Sequence, residues 1–308
     1  MHLLRRSLTA LLGFAMLSSA TAWAGSVSTA GIQPTAKWRK GPIRIAISQS
    51  LQQFEPNIKA NSDVLGAIRR AAAAWQEVVA VDIEFSRSEK LNVSPAGLVG
   101  DGVSLITIAP TTENILLFKN DGDAAAKTRL FVDRRGAITE ADIVLNPLQQ
   151  FSTDGTYGTF DLETTLRHEF GHLLGLSHSP IVGSAMYDSV AKNGVFGDGQ
   201  PAVGIITDDD RSAIRDLYDG FDAESCCGSV TGTITGAGKA FSADLWLEDI
   251  ASGRSVAHTA ANTDGSFRFG GIGYGTFRVV VRETSRNTIY ATYSMGEVTV
   301  REDEPATI

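Results

Sequence analysis

The segment His168-Glu169-Phe170-Gly171-His172-Leu173-Leu174-Gly175-Leu176-Ser177-His178 decides how the rest of the chain is read. His168 and His172 are four residues apart, an advance of about 400° on an α-helix, so both rings leave one face. Leu162, Leu166, Phe170 and Leu173 give that helix a buried side, Asp161 is its expected N-cap, and Glu163 suits its first turn. Two imidazoles so placed reach one Zn²⁺ at ~2.0–2.1 Å. Glu169, one residue after the first histidine, reaches a water on the metal's open side. A continuing helix would turn His178 about 600° from His172 and away from the ion. Gly175 adopts positive φ at low cost, so it ends the helix and brings His178 back. Three neutral imidazoles leave a fourth position for water, the pattern of a catalytic rather than a closed structural site. Of the five histidines in the chain, only His2 and His258 lie elsewhere.

Upstream of this segment, Ile43, Ile45 and Ile47 alternate with Arg44, Ala46 and Ser48 and predict a strand. Leu65, Ile68, Ala72, Trp75 and Val79 recur at three- and four-residue steps, which predicts a helix packed on a sheet. Residues 82–85, 103–108 and 138–145 are further expected strands. Strands alternating with a helix point to a layered α/β domain, residues 37–222. Beyond Tyr218 the pattern changes. Leu245 and Leu247 flank Trp246, Phe267 and Phe269 flank Arg268, and Phe277, Val279 and Val281 alternate with Arg278 and Val280. Turn signals such as Thr263-Asp264-Gly265 and Gly273-Tyr274-Gly275 separate these runs. A small all-β sandwich is expected over residues 230–308, after a linker at 223–229. His258 is expected to be an exposed strand residue, and Asp209 and Asp210 to be exposed acids favoured by a helix macrodipole. The linker holds Cys226-Cys227. Adjacent Cα atoms lie ~3.8 Å apart, short of the usual ~4.4–6.8 Å, so a vicinal bridge, an intermolecular bond and two free thiols all stay open.

The chain has 308 residues, 27 basic against 35 acidic, and a formal charge of −8. With 43% hydrophobic and 20% charged residues it is an ordinary globular mix, not a disordered tail, a collagen-like fibre or a coiled coil. An acidic balance argues against nucleic acid as a partner, because phosphate binding needs a basic stripe. Arg5 and Arg6, the apolar residues 8–17 and Ala22-Trp23-Ala24 read as an export signal, residues 1–24, with cleavage near Ala24. The apolar run is shorter than the roughly 20 residues that span a bilayer. No second run follows, so the mature form is expected to be soluble and secreted, in the periplasm, at the cell surface or in the medium. Residues 25–36 are small and polar and suit a flexible leader.

The run HEFGHLLGLSHS, residues 168–179, resembles the extended zinc signature of the metzincin metalloproteases, and within them the matrixin branch in its bacterial-type secreted form. Ser184-Ala185-Met186-Tyr187 looks like the Met-turn, which puts Met186 beneath the metal and Tyr187 beside it. Residues 207–218 resemble the closing helix of the catalytic domain, and Ala141-Asp142-Ile143 and the Trp75 helix are similar to weaker family patterns. The resemblance covers residues 37–222. It implies an α+β metzincin domain with a twisted sheet, long helices and a zinc-bearing helix. It also implies one catalytic Zn²⁺ on His168, His172 and His178. Glu169 would act as general base and then acid in hydrolysing internal peptide bonds of proteins. A protein or peptide substrate would lie as an extended strand along a sheet edge, for which 115–118 and 130–132 are the candidates.

Family members can use one acid of the Asp209-Asp210 pair to hold the chain's N-terminus. No cysteine precedes the zinc motif, so latency through a thiolate on zinc is excluded. Tyr187 is followed by Asp188-Ser189-Val190 in place of the proline-containing wall of animal relatives. Asp121-Gly122-Asp123 and Asp154-Gly155 fit Ca²⁺ ligands and ordinary turns equally, so no calcium site is assigned. Residues 263–269 and 275–281 resemble the carboxypeptidase-regulatory-like (transthyretin-like) β-sandwich. A spacer or stability module is favoured there over one that binds a surface or substrate. The rival reading is a catalytically silent or self-processing metzincin scaffold whose sandwich binds a surface or protein partner. An intact Glu169 argues against it.

Overall fold

The computed structural model describes residues 36–52, 56–94, 100–195, 205–218, 226–236, 239–240, 243–283, 292–302 and 305–308. The expected export signal, all but the last residue of the expected leader and the first part of the expected linker lie outside these residues.

The isoleucine alternation at residue 43 becomes an inner strand of a six-stranded sheet. Strands β1 (Lys37–Trp38) and β2 (Ile43–Ser48) lead through helix α1 (Val64–Gln76) to β3 (Ile83–Ser88) and β4 (Ser104–Thr107). After a short helix α2 (Thr112–Leu116) come β5 (Ala126–Val132) and β6 (Ala137–Leu145). The order is β1-β6-β4-β2-β3, and β5 pairs antiparallel with β6 alone, so β5 is an edge strand. Asp63 caps α1 by accepting the Gly66 N–H, and Ala67, Ile68, Ala71, Ala72 and Trp75 form its buried stripe.

Of the two expected edge segments, 130–132 lies in β5, whereas 115–118 forms no strand. Thr111 accepts the Asn114 N–H and starts a helical turn, and the buried Asn114 amide donates to the carbonyls of Leu91 and Ala109. That cap and anchor override the strand preference of an apolar run.

A short parallel pair, β7 (Phe151–Ser152) and β8 (Phe160–Asp161), delivers the chain to α3 (Leu162–Leu173). Asp161 Oδ1 accepts the Thr164 N–H at 2.8 Å and caps it. Helix α3 lies on α1, where Trp75 Nε1 donates to the Arg167 carbonyl at 2.8 Å, and Phe170 meets Phe85 edge-on at 6.2 Å. Helix α4 (Asp208–Leu217) adds Ile214 and Leu217, with Tyr218 after it, to the same core.

Cys226 and Cys227 are bonded to each other, with Cα atoms 3.7 Å apart. Short strands follow: β9 (Gly228–Thr233), β10 (Thr235–Gly236), β11 (Lys239–Ala240), β12 (Ala243–Asp249) and β13 (Ser255–Ala260). Then come β14 (Ser266–Ile272), β15 (Gly275–Glu283), β16 (Thr292–Val300) and β17 (Ala306–Thr307). They form a sheet β13-β12-β15-β16, a sheet β14-β9-β17 and a β10-β11 pair. Val230, Leu245, Leu247, Phe267, Phe269, Val279 and Val281 build a second core, distinct from the first. No helix among the described residues is long and apolar enough to cross a membrane.

Candidate active site

The end of α3 is built by Gly175, whose φ is +104°. Its N–H donates to His172 O at 2.8 Å, and the Leu176 N–H reaches back to Gly171 O at 3.0 Å. These are the two bonds of a Schellman cap, which satisfies helix-end carbonyls while reversing the chain. Two more terminal carbonyls find side chains: Trp38 Nε1 donates to Leu173 O and the Tyr218 hydroxyl to Leu174 O, both at 2.8 Å. A Cβ at Gly175 would lie 2.0 Å from the Ala36 carbonyl oxygen, so the backbone at Ala36 also packs against this turn.

The turn delivers His178 to the other two imidazoles. Nδ1 of His168 donates to Ala185 O and Nδ1 of His172 to Leu176 O, both at 2.8 Å. Those bonds place the ring protons on Nδ1 and leave each Nε2 with a free lone pair. The Nε2 atoms of His168 and His172 are 3.0 Å apart, and that of His178 is 3.1 Å from His172. Lone pairs this close repel one another unless a cation lies among them. A tetrahedral ion with bonds of ~2.0–2.1 Å brings its nitrogens to roughly 3.4 Å of one another, so the donor set fits zinc. Burial lowers the His168 pKa to about 4 and that of His172 well below the ordinary value, with neighbouring imidazoles adding to both. Burial lowers His178 too, against the opposing charge of Asp188. The three rings are therefore neutral and able to bind metal near pH 7.

Glu169 projects from the same helix and is 3% exposed. Burial raises its pKa to about 7, opposed by a hydrogen bond from Thr128 and the charge of Lys127. The Thr128 hydroxyl, on edge strand β5, donates to Glu169 Oε2 at 2.5 Å. Sequence reading did not single out Thr128, which stands 41 residues before its partner.

Met186 follows the Ala185 carbonyl that holds His168 and is buried in a turn tied on both sides. The Ser179 N–H donates to Met186 O at 2.8 Å, and Ser179 bridges to Tyr187. Asp210 accepts from Ala185 N at 2.8 Å, from Met186 N at 3.2 Å and from the Ser184 hydroxyl, while also closing a capping box with Thr207. Asp209 accepts the Ser179 hydroxyl at 2.6 Å.

Both acids were expected to be exposed, yet each is 1% exposed, because each fixes the loop of Ser179, Ser184 and Met186. His258 likewise departs from the expected exposed position: it lies on β13 with its Nδ1 2.8 Å from Asp209 Oδ1. Among the described residues, the three imidazoles form the one cluster of metal-ligating side chains.

The family model described as Matrixin matches residues 37–219. Over 158 residues, 50% of this chain and 38% of the relative, the sequence is 29% identical to Metalloendoproteinase 1-MMP of Arabidopsis thaliana. Over 169 residues, 54% of this chain and 39% of the relative, it is 27% identical to Metalloendoproteinase 2-MMP of the same plant. The matched part thus covers less than two-fifths of each of these curated relatives.

Proposed function

Because this chain belongs to the matrixin family, we propose that it is a secreted zinc-dependent endopeptidase that hydrolyses internal peptide bonds of proteins. The observation that carries this reading is the convergence of three neutral imidazoles beside a buried carboxylate. His168, His172 and His178 would hold a zinc ion, which would supply Lewis acidity toward a scissile carbonyl and lower the pKa of a water toward ~7. Glu169 would take the water's proton at Oε1, the oxygen that Thr128 does not hold, as the water oxygen bonds to the carbonyl carbon, and would return it to the amine as the C–N bond breaks. A pKa of about 7 suits a group that must both accept and release a proton near neutrality. Met186 and Tyr187 support the site from below. The substrate lies extended along β5, which carries Thr128 and has a single strand partner among the described residues. Main-chain pairing there supplies affinity.

In the same reading residues 1–24 are an export signal and 25–36 a leader. Residues 37–222 are the catalytic domain, 223–229 a linker and 230–308 a carboxypeptidase-regulatory-like β-sandwich. The test is hydrolysis of casein by the purified chain. Activity should vanish in a chelator and return with zinc. Glu169→Gln should retain about one zinc per chain and lose ~10²–10⁴-fold in turnover. Chelator-resistant hydrolysis, or near-parental turnover by Glu169→Gln, would overturn the proposal.

A further inference from the structure

His168 and His172 are oriented twice, by their helix and by a carbonyl on Nδ1. His178 sits on the loop beyond the helix, and no carbonyl holds its Nδ1 among the described residues. Its position therefore depends on the backbone beside it, and Ser179 is the fastening. The Ser179 N–H is tied to Met186 O and its hydroxyl to Asp209 Oδ2. A carboxylate as buried as Asp209 is costly unless its charge is met. The group that meets it comes from the C-terminal unit: His258 Nδ1 lies 2.8 and 2.9 Å from the two carboxylate oxygens. A carboxylate only accepts, so Nδ1 carries the proton and donates.

This approach is built into the contact between the two units. The Ser212 hydroxyl of α4 donates to Gly270 O of β14 at 2.8 Å. Gly270 and Gly271 sit at the irregularity in the β14-β9 pairing. A Cβ on Gly271 would lie 2.3 Å from the Ser212 carbonyl oxygen, so the helix and strand meet at backbone distance. Arg268 pairs with Asp216, and Arg254 with Asp208 at 3.1 Å, at the exposed rim.

We infer that His258 is a positioning residue of the metal site, by which the C-terminal unit secures the third zinc ligand through Asp209 and Ser179. The inference rests on the zinc reading above. Without His258, the Asp209 charge is left half-met, water enters or the carboxylate turns outward, and the Ser179 fastening loosens. His178 is then the ligand that leaves first.

The experiment follows zinc release from the full-length, zinc-loaded chain into excess chromophoric chelator, with circular dichroism to confirm folding. His258→Ala should release zinc about tenfold faster, the lower end of the range for partners of metal ligands. His258→Asn, whose amide nitrogen can stand in for Nδ1, should restore most of the loss. Arg254→Ala removes the rim pair at the same interface and should leave release unchanged. A parental release rate in His258→Ala, or equal acceleration in Arg254→Ala, would overturn the inference. A parent chain that binds no zinc defeats the metal reading itself, before any variant is compared.

Discussion

Thr128 holds one oxygen of a carboxylate that burial pushes toward neutrality. Replacing it with valine keeps the shape and removes the donor, so Glu169 loses both its orientation and a force that favours the ionised form. We predict that Thr128→Val lowers kcat about tenfold, a part of the ~10²–10⁴ that a general base supplies. KM and zinc content should change little, and Thr128→Ser should recover most of the loss. A variant that loses zinc or raises KM alone would assign Thr128 a merely structural role. The histidines were legible in the sequence because all three fall within one helix and the turn after it, where spacing fixes direction. Thr128 was not, because its contact depends on how β5 registers against α3. Asp209 and Asp210 were misread for a related reason. Acids opening a helix are usually solvated, and only the fold shows that the loop of Ser179, Ser184 and Met186 lies over them.

Helix α3 carries a glycine where helix propensity disfavours one. A Cβ at Gly171 would lie 2.1 Å from Met186 Sδ and 2.9 Å from Trp75 Cζ2. Two effects therefore compete in Gly171→Ala: a propensity gain of about 1 kcal/mol and an overpacking cost of ~1–3 kcal/mol. The cost should win, because the buried Trp75 ring is held to the Arg167 carbonyl and the buried Met186 side chain has little room to turn aside. We expect a net loss of up to about 2 kcal/mol in urea unfolding, and a gain in stability would show that the Met186 side chain yields. Strand β6 poses an electrostatic problem of the same kind. It buries Glu140 and Asp142 on one face, and burial, then the Glu140 charge, raises Asp142 to about 7. The fold thus keeps a proton that the unfolded chain releases near pH 4. Stability from this group is fully present below that pH and is lost as pH rises through about 7, at roughly 1.4 kcal/mol per unit. Asp142→Asn should flatten the fall of the urea midpoint between about pH 4.5 and 7.5. A parental slope would show that Asp142 ionises freely. Helix α1 was readable from its apolar period and α3 from its period and its Asp161 cap, whereas the stretch at residue 115 was not, since its fate turns on the buried Asn114 amide.

At the scale of the molecule, the core around Trp75 and that around Leu245 meet across α4, whose apolar side belongs to the former while Ser212, Asp216 and Asp209 face the second unit. In the sequence the pattern of apolar residues changes after Tyr218, and the described residues on either side of it pack into separate cores. Nothing in it showed that they join at backbone distance, because the pairing of Gly271 with Ser212 spans elements whose relative placement only the fold defines. A contact that close should make the two cores unfold together, since neither unit can separate without exposing Asp209 and the Ser212 carbonyl. Gly271 is the position at which to break it. Its φ of +64° is unfavourable for any β-branched residue, and a side chain would collide with the Ser212 carbonyl, the Asp216 N–H and Arg215 Cβ. Gly271→Val should therefore cost roughly 2–3 kcal/mol through strain and lost docking. Calorimetry of the full-length parent should give one transition whose calorimetric and van't Hoff enthalpies agree. In Gly271→Val that transition should split, the C-terminal unit melting first and the core around Trp75 later. A single unshifted transition in the variant would mean that the two units are not energetically coupled through α4.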